Sequence, residues 1–150
     1  MSRADDLATV DAALTRIGRA ANSRRAAQTR AARAGLDLPA GAMNVLAAIY
    51  RGGPGRMVDV AARIDMEPSR VSKDVRRLHV AGYVEPRHDA ADRRVAVLHI
   101  TARGKRAFER YRRAADELLA ELLEPWSDAQ VRTAANVLQR LSDLVGEQTP

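Results

Sequence analysis

The sequence predicts a mainly α-helical fold with a small β-hairpin, in the α+β class. Apolar residues repeat at helical spacing through most of the 150 residues. Alternation with a period of two occurs in the segments YVEPR and RVAVLHI, on either side of the polar loop HDAADR. A chain of this length can bury a core without a metal or a disulfide, so residues 1–150 are predicted to form a single domain.

The first predicted helix runs from residue 5 to about residue 34 and ends at Gly35. Its first half carries an apolar stripe of Leu7, Val10, Leu14 and Ile17. Its second half, SRRAAQTRAARAG at 23–35, is rich in Ala and Arg. The sequence leaves open whether this segment contacts a partner molecule, and a solvated helix face is the favoured interpretation.

The second predicted helix begins at Pro39, because proline is tolerated where a helix starts, and ends in RGGPGR at 51–56. Its predicted buried stripe consists of Met43, Leu46, Ala47 and either Ile49 or Tyr50.

Two short helices follow, at 57–64 and 68–81, joined by the tight connection DME. This is the pattern of a helix-turn-helix. Pro68 stands at a first helical position and Gly82 at a helix stop. The turn usually carries a glycine, and here Asp65 takes that place, a residue type that tolerates positive φ better than most.

The second of these helices has an outward face made of Ser, Lys and Arg. Its apolar residues Val71, Val75 and Leu78 share one ridge, which packs on a core. The second helix of a helix-turn-helix enters the major groove. The predicted contacts are therefore Ser69, Arg70, Ser72, Lys73 and Arg76, with small serines for close approach and cations for guanine edges and phosphates. The alternative is a surface helix that happens to be basic.

The hairpin is predicted to add DNA contacts from its loop. Pro86 confines its first strand to a sheet edge. Arg93 is assigned to the minor groove, whose negative potential attracts arginine, and Arg87 and Arg94 to phosphates or to support of the hairpin. Asp89 and Asp92 are predicted to brace these arginines and shape the turn.

Two further helices complete the chain. Thr101 is a suitable N-cap for a long helix that ends before Pro125, and a last helix follows Ser127 and Asp128.

The net charge of +6 is distributed unevenly along the chain. Residues 67–113 hold 13 basic and 6 acidic side chains, a net charge of +7, whereas residues 114–150 hold 2 basic and 7 acidic side chains, a net charge of −5. A strongly basic segment of this kind favours a polyanionic partner, although a solvated surface explains the charge equally well on its own.

Several function classes are excluded by what the sequence lacks. It has no Cys, which removes disulfides, thiolate catalysis and thiol redox sensing. It has no phosphate-binding loop, H-E-x-x-H or G-x-S-x-G motif, so no enzyme and no cofactor are predicted. His79, His88 and His99 lack metal-ligand spacing. The beginning of the chain lacks signal-peptide features and its longest apolar run is VLAAIY, so a cytoplasmic protein without membrane spans is expected.

The stretches SRVSKDVRRLHVAGYVEPR and DAADRRVAVLHITARGKRAFE resemble the MarR family of winged helix-turn-helix transcription regulators. The most specific part of this resemblance is D-R-R followed by an alternating strand and I-T-x-x-G, at residues 92–104. The segment LDLPAGAMNVLAAI at 36–49 is similar to the family's second helix. Two departures are Asp65 in place of the usual turn glycine and Ile100 in place of the usual leucine.

The resemblance implies a homodimeric repressor on a pseudo-palindromic site in double-stranded DNA. Residues 1–35 and 114–150 would be dimerisation helices, and 36–113 the winged lobe, with its wing at 83–100. It also implies release by a small aromatic or phenolic ligand, with Met43, Tyr50, Tyr111 and Trp126 as candidate pocket residues. The alternative function is a winged-helix module that binds nucleic acid non-specifically, or a protein partner, without a ligand response.

Overall fold

The computed structural model describes residues 2–88 and 95–147. The described helices are α1 Arg3–Ala21, α2 Arg24–Arg33, α3 Ala40–Gly52, α4 Met57–Arg63, α5 Pro68–Val80, α6 Ala102–Leu122 and α7 Asp128–Glu147. The strands are β1 Gly55–Arg56, β2 Val84–His88 and β3 Ala96–Ile100. This confirms the predicted fold class, mainly α with a small β-sheet. The chain divides into two compact units, one up to Ala114 and one from Ala115.

The prediction of one helix from residue 5 to about 34 is wrong, because the helix breaks between α1 and α2. The Asn22 side chain donates to the carbonyl of Gly18 at 3.0 Å. The Ser23 hydroxyl accepts from the Ala26 N–H at 3.1 Å and so caps a new helix. Short polar side chains offer the backbone an alternative to continued helical hydrogen bonding, which is why they favour helix ends. Gly35, with φ of 65°, follows the end of α2 as expected.

The core of the first unit surrounds α3. Its largest fully buried side chains are Phe108, Met43, Leu46, Ile49, Leu78, Val45, Val60, Val71 and Val84. The stripe predicted on α3 is too narrow, since Ala42, Val45 and Ala48 are buried as well. Two residues of the predicted stripe, Ala47 and Tyr50, are only partly buried. The reason is that α3 contacts α2, α4, α5 and β3, so it is enclosed on several sides.

The sheet has three antiparallel strands in the order β1-β3-β2. Pro86 lies in the edge strand β2, opposite Leu98, as predicted from its missing N–H. The two-residue strand β1 was not predicted, because GGPG is a turn signal and only pairing with β3 makes the following residues a strand. Arg63 holds this loop by donating to the Gly53 carbonyl at 2.7 Å.

The turn between α4 and α5 has the predicted conformation. Asp65 has a φ of 49°, and it is the only non-glycine residue with positive φ in the described ranges. Pro68 is the first residue of α5, and Gly82, with a φ of 73°, follows its end. These positions confirm the start and the end of this helix that were predicted from Pro68 and Gly82.

The end of the sheet and the start of α6 meet at a close contact. The Thr101 hydroxyl donates to the Gly82 carbonyl at 2.7 Å and accepts from the Gly104 N–H at 2.9 Å, which confirms Thr101 as a cap. Gly104 is buried against the carbonyl oxygen of Tyr83, so close that a Cβ at residue 104 would lie well inside van der Waals distance. The motif I-T-x-x-G therefore ends in glycine because there is no space for a side chain at residue 104.

The second unit contains the end of α6 and the whole of α7. α6 ends at Leu122, before Pro125. The Ser127 backbone N–H donates to the Gln130 side chain at 2.9 Å, and the Gln130 N–H donates back to the Ser127 hydroxyl, a reciprocal capping arrangement at the start of α7. Ser127 and Asp128 thus begin the last helix as predicted.

We expect Gly104→Ala to lower the free energy of unfolding by about 1–3 kcal/mol, because the new methyl group overlaps the Tyr83 carbonyl and also reaches 2.9 Å from Ile100 Cγ1. Gly18→Ala is the matched control. Among the described residues, no atom outside the neighbouring residues and the backbone of α1 lies within 4 Å of its added Cβ, and alanine favours a helix by up to about 1 kcal/mol over glycine. Urea denaturation of both variants measures the difference, and equal stabilities would contradict the close contact.

Candidate nucleic-acid interface

The outward face of α5 is fixed by its apolar ridge. Val71, Val75 and Leu78 are buried in the core, as predicted. Of the five predicted major-groove residues, Ser69, Arg70, Lys73 and Arg76 are exposed and Ser72 is partly buried. The ridge thus anchors the helix along one side and leaves its basic side accessible.

The cations of this face are not neutralised by nearby carboxylates. Within residues 2–88 and 95–147, no ion pair involves Arg70, Lys73 or Arg76. Arg77 differs, since its Nη1 lies 3.3 Å from Oδ1 of Asp74. Within the described residues, the N–H groups of Arg70, Lys73 and Arg76 therefore have no carboxylate partner and could donate to a group outside the chain.

Asp74 differs from the other charged residues of α5, because it is buried. The residue is only 9% exposed. Its carboxylate faces α3, where a Cβ added to Gly41 would collide with Oδ2. Gly41 lies in the first turn of α3, whose N-cap Pro39 provides no side-chain hydrogen bond. A carboxylate is favoured there because the first N–H groups of a helix carry partial positive charge.

The hairpin arginines are described only in part. Arg87 lies in β2, is exposed, and donates from Nε to Glu85 Oε1 at 2.8 Å and from Nη2 to the same oxygen. The sequence analysis missed Glu85 as its partner, although residues two apart on a strand share a face and would have indicated it. Arg93, Arg94, Asp89 and Asp92 lie outside the described residues.

Comparison with known proteins finds a likeness to one family over part of the chain. A model of the MarR family matches residues 35–95, which include α3, the helix-turn-helix, β2 and the loop segment HDAADR. This segment of the chain is similar to the MarR family. The HTH-type transcriptional repressor MdtR of Bacillus subtilis (strain 168) is 26% identical over 98 residues, which are 65% of this chain. The match spans 63% of that repressor, so less than two thirds of its length is covered.

Several solved structures share the fold of this chain over most of its length. A MarR family protein from Bacillus stearothermophilus superposes with a TM-score of 0.77 at 18% identity, over 97% of this chain and 99% of that one. YusO from Bacillus subtilis gives a TM-score of 0.71 at 20% identity, over 95% and 99%. Wild-type MarR from E. coli, in its apo form, gives 0.72 at 19% identity, over 87% and 94%. At these identities the likeness shows the fold alone.

Two cavities border α5. The first, named here the α5 cleft, has a volume of about 680 Å³ and is bordered by Ser69, Arg70 and Lys73 of α5, by Arg24 and Gln28 of α2, and by the start of α3. The second, named the α2–α5 cavity, has a volume of about 840 Å³. Its lining includes the apolar Ala31, Leu36, Leu38 and Val80 and the cations Arg76 and Arg77.

The four candidate ligand residues are not gathered around one of these cavities. Met43 is fully buried in the core. Tyr50 and Tyr111 both pack against the Phe108 ring. Their ring centroids lie 4.6 Å and 6.3 Å from that of Phe108. Trp126 belongs to the second unit and is 47% exposed. The structure thus brings the two tyrosines together through Phe108, a residue that the sequence analysis did not single out for this role.

The described part of the chain contains no group of three or more His, Asp or Glu side chains arranged to hold a metal ion. Over the same residues, no helix combines the length and the apolar character needed to cross a membrane.

We expect Asp74→Asn to lower the free energy of unfolding by about 1–2 kcal/mol, because it removes a partly buried negative charge from the start of α3. Arg77→Ala removes the other half of the ion pair and should cost less than about 1 kcal/mol, since the Arg77 side chain is 45% exposed. Thermal and urea denaturation compare the two variants. A larger loss from Arg77→Ala would show that the ion pair, and not α3, is what Asp74 stabilises.

Proposed function

We propose that the protein is a cytoplasmic, non-enzymatic, sequence-specific DNA-binding transcription regulator that acts as a homodimeric repressor. The observation that carries this proposal is the exposed face of α5, where Arg70, Lys73 and Arg76 have no carboxylate partner in the described chain and the apolar ridge is fully used in packing. The likeness of residues 35–95 to the MarR family supports the same function.

The proposed contacts divide between base edges and the DNA backbone. Ser69, Arg70, Ser72, Lys73 and Arg76 face the major groove from α5. Arg93 is assigned to the minor groove, and Arg87 and Arg94 to phosphates or support of the wing. Glu85 fits the supporting role for Arg87, because its carboxylate holds the guanidinium along β2. Asp89 and Asp92 keep their proposed role in bracing the loop.

The dimer is proposed from apolar side chains that one copy of the chain leaves in water. α1 has no buried residue, and Leu7, Val10, Leu14 and Ile17 are between 38% and 60% exposed. In the second unit, Leu119, Leu122, Val137, Leu138, Leu144 and Val145 are also exposed. A second copy covering residues 1–35 and 114–150 would remove these surfaces from water. Two lobes, each formed by residues 36–113, then face a pseudo-palindromic site with half-sites about one helical turn apart.

Ligand release is proposed to act through the α2–α5 cavity. Its volume of about 840 Å³ lies within the range of about 300–1,000 Å³ typical of small-molecule sites. Apolar walls suit a small aromatic or phenolic ligand, and a ligand there would contact Arg76, a proposed DNA-reading residue. The cluster of Tyr50, Tyr111 and Phe108, with Met43 in the core beside it, is the second proposed location. Trp126, a predicted pocket residue, belongs to neither location.

The function is tested by fluorescence anisotropy with the DNA upstream of the protein's own gene and a scrambled duplex of equal length, at near-physiological salt. A preference of at least about 10³ for the upstream duplex is expected of a specific regulator. Equal weak binding to both, followed by failure of a random-library selection to yield any site, would favour the alternative of a non-specific or protein-binding module.

We expect Arg76→Ala to weaken operator binding by about 1–3 kcal/mol and to relax the preference at one base pair in each half-site, because a bidentate contact to guanine is lost. Arg70→Ala or Lys73→Ala should instead weaken binding to all sequences and flatten the salt dependence, if these residues contact phosphates. Selection from duplexes randomised at each position measures the preference. An unchanged preference in Arg76→Ala would remove Arg76 from the base-reading residues.

We expect Leu14→Glu to dissociate the homodimer, because it places a charge within the exposed apolar stripe of α1. Operator affinity should fall with it, since two linked lobes bind more tightly than one. Ala12→Glu adds the same charge to an exposed position on the opposite side of α1 and should leave the dimer intact. Sedimentation equilibrium measures the mass. A monomeric wild type, or dimers in both variants, would contradict α1 as an interface.

A further inference from the structure

The α5 cleft brings a residue from outside the helix-turn-helix next to the proposed DNA-binding face. On one side of this cleft lie Ser69, Arg70 and Lys73, and on the other lies Arg24, the first residue of α2. Arg24 belongs to the Ala- and Arg-rich segment at 23–35, for which the sequence favoured a solvated helix face. Arg24 is the one arginine of that segment among the residues that line the α5 cleft.

The helix break places Arg24 at this position. Because Asn22 ends α1 and Ser23 caps α2, Arg24 is where the second helix begins. The neighbouring Arg25 is equally exposed but does not line the cleft. Arg30 is committed elsewhere, since its Nη2 donates to the Ala21 carbonyl at 2.6 Å. Of these three arginines, one borders the α5 cleft, one is exposed away from the cleft, and one is hydrogen-bonded to the end of α1.

The charge of the cleft favours an anion. Arg24, Arg70, Lys73 and Arg77 line it, and Asp74 is the single carboxylate among its lining residues. Asp74 is only 9% exposed, and its Oδ1 already lies 3.3 Å from Nη1 of Arg77. For Arg24, as for Arg70 and Lys73, the part of the chain that the structure describes provides no ion-pair partner.

We infer that Arg24 binds a phosphate of the DNA backbone beside the groove that α5 enters, so that the DNA-binding surface extends from the helix-turn-helix onto α2. This inference rests on the proposed function. A phosphate is the expected group because α5 itself occupies the groove, whereas phosphates flank it within reach of side chains from adjacent helices. Arg24 would position the lobe on the duplex and would read no base.

The test is the salt dependence of DNA binding by Arg24→Ala, with Arg25→Ala as the matched control. Each phosphate contact contributes about 0.9 to the slope of log Kobs against log salt, so a dimer with one lost contact in each copy should show a slope flatter by about 1.8. Binding to the upstream duplex and to the scrambled duplex should weaken by the same factor. Arg25→Ala should change the slope by less than about half of that amount, and Arg24→Lys should retain most of it.

Three outcomes would overturn the inference. Equal slopes for Arg24→Ala and Arg25→Ala would show that both arginines act only through long-range attraction. A loss confined to the upstream duplex would show a base contact in place of a phosphate contact. A slope unchanged from the wild type would remove Arg24 from the interface, provided that circular dichroism shows the fold to be intact.

Failure of the proposed function has a different signature. A wild type that binds both duplexes equally would contradict sequence-specific regulation. The slopes of Arg24→Ala and Arg25→Ala on either duplex would still decide whether Arg24 contacts phosphate.

Discussion

The close approach of Gly104 to the carbonyl of Tyr83 is the contact on which the junction between the helix-turn-helix, the sheet and α6 depends. Tyr83, which lies between α5 and β2, meets Ile100, the last residue of β3, and the first turn of α6 there. The Thr101 hydroxyl adds a bond to the Gly82 carbonyl, so the turn after α5 is tied to the start of α6. This junction therefore holds the end of the sheet against the first turn of α6. A side chain at residue 104 would push the two apart.

Electrostatics at α5 follow from packing as much as from composition. The helix has a buried acid as well as exposed bases, and Asp74 is turned toward α3 by its place next to Val71, Val75 and Leu78 on the same helix. The Asp74 carboxylate lies against Gly41 in the first turn of α3 and pairs with Arg77, although the residue also borders the α5 cleft. The α5 cleft is therefore lined by four cations and by one acid that is already paired with Arg77.

Much of the fold could be predicted from the sequence because its signals are local. Pro68, Gly82, Thr101 and Asp65 act within one turn of the chain, and the structure bears out each of them. The unpredicted features depend on something else. The break at Asn22 comes from side-chain hydrogen bonds that compete with a helical pattern, and β1 exists only through pairing with β3. The surroundings of Asp74 and Arg24 are tertiary, since α3 reaches Asp74 and α5 reaches Arg24 from distant parts of the sequence.

The break between α1 and α2 also has an evolutionary consequence. In an uninterrupted helix, one inserted or deleted residue would rotate everything beyond it by about 100° and would displace any contact made by its far end. Because Ser23 begins a new helix, the direction of Arg24 is set by its own cap and not by the length of α1. A residue inserted into or deleted from α1 would therefore change the first helix while the start of α2 keeps its place beside α5.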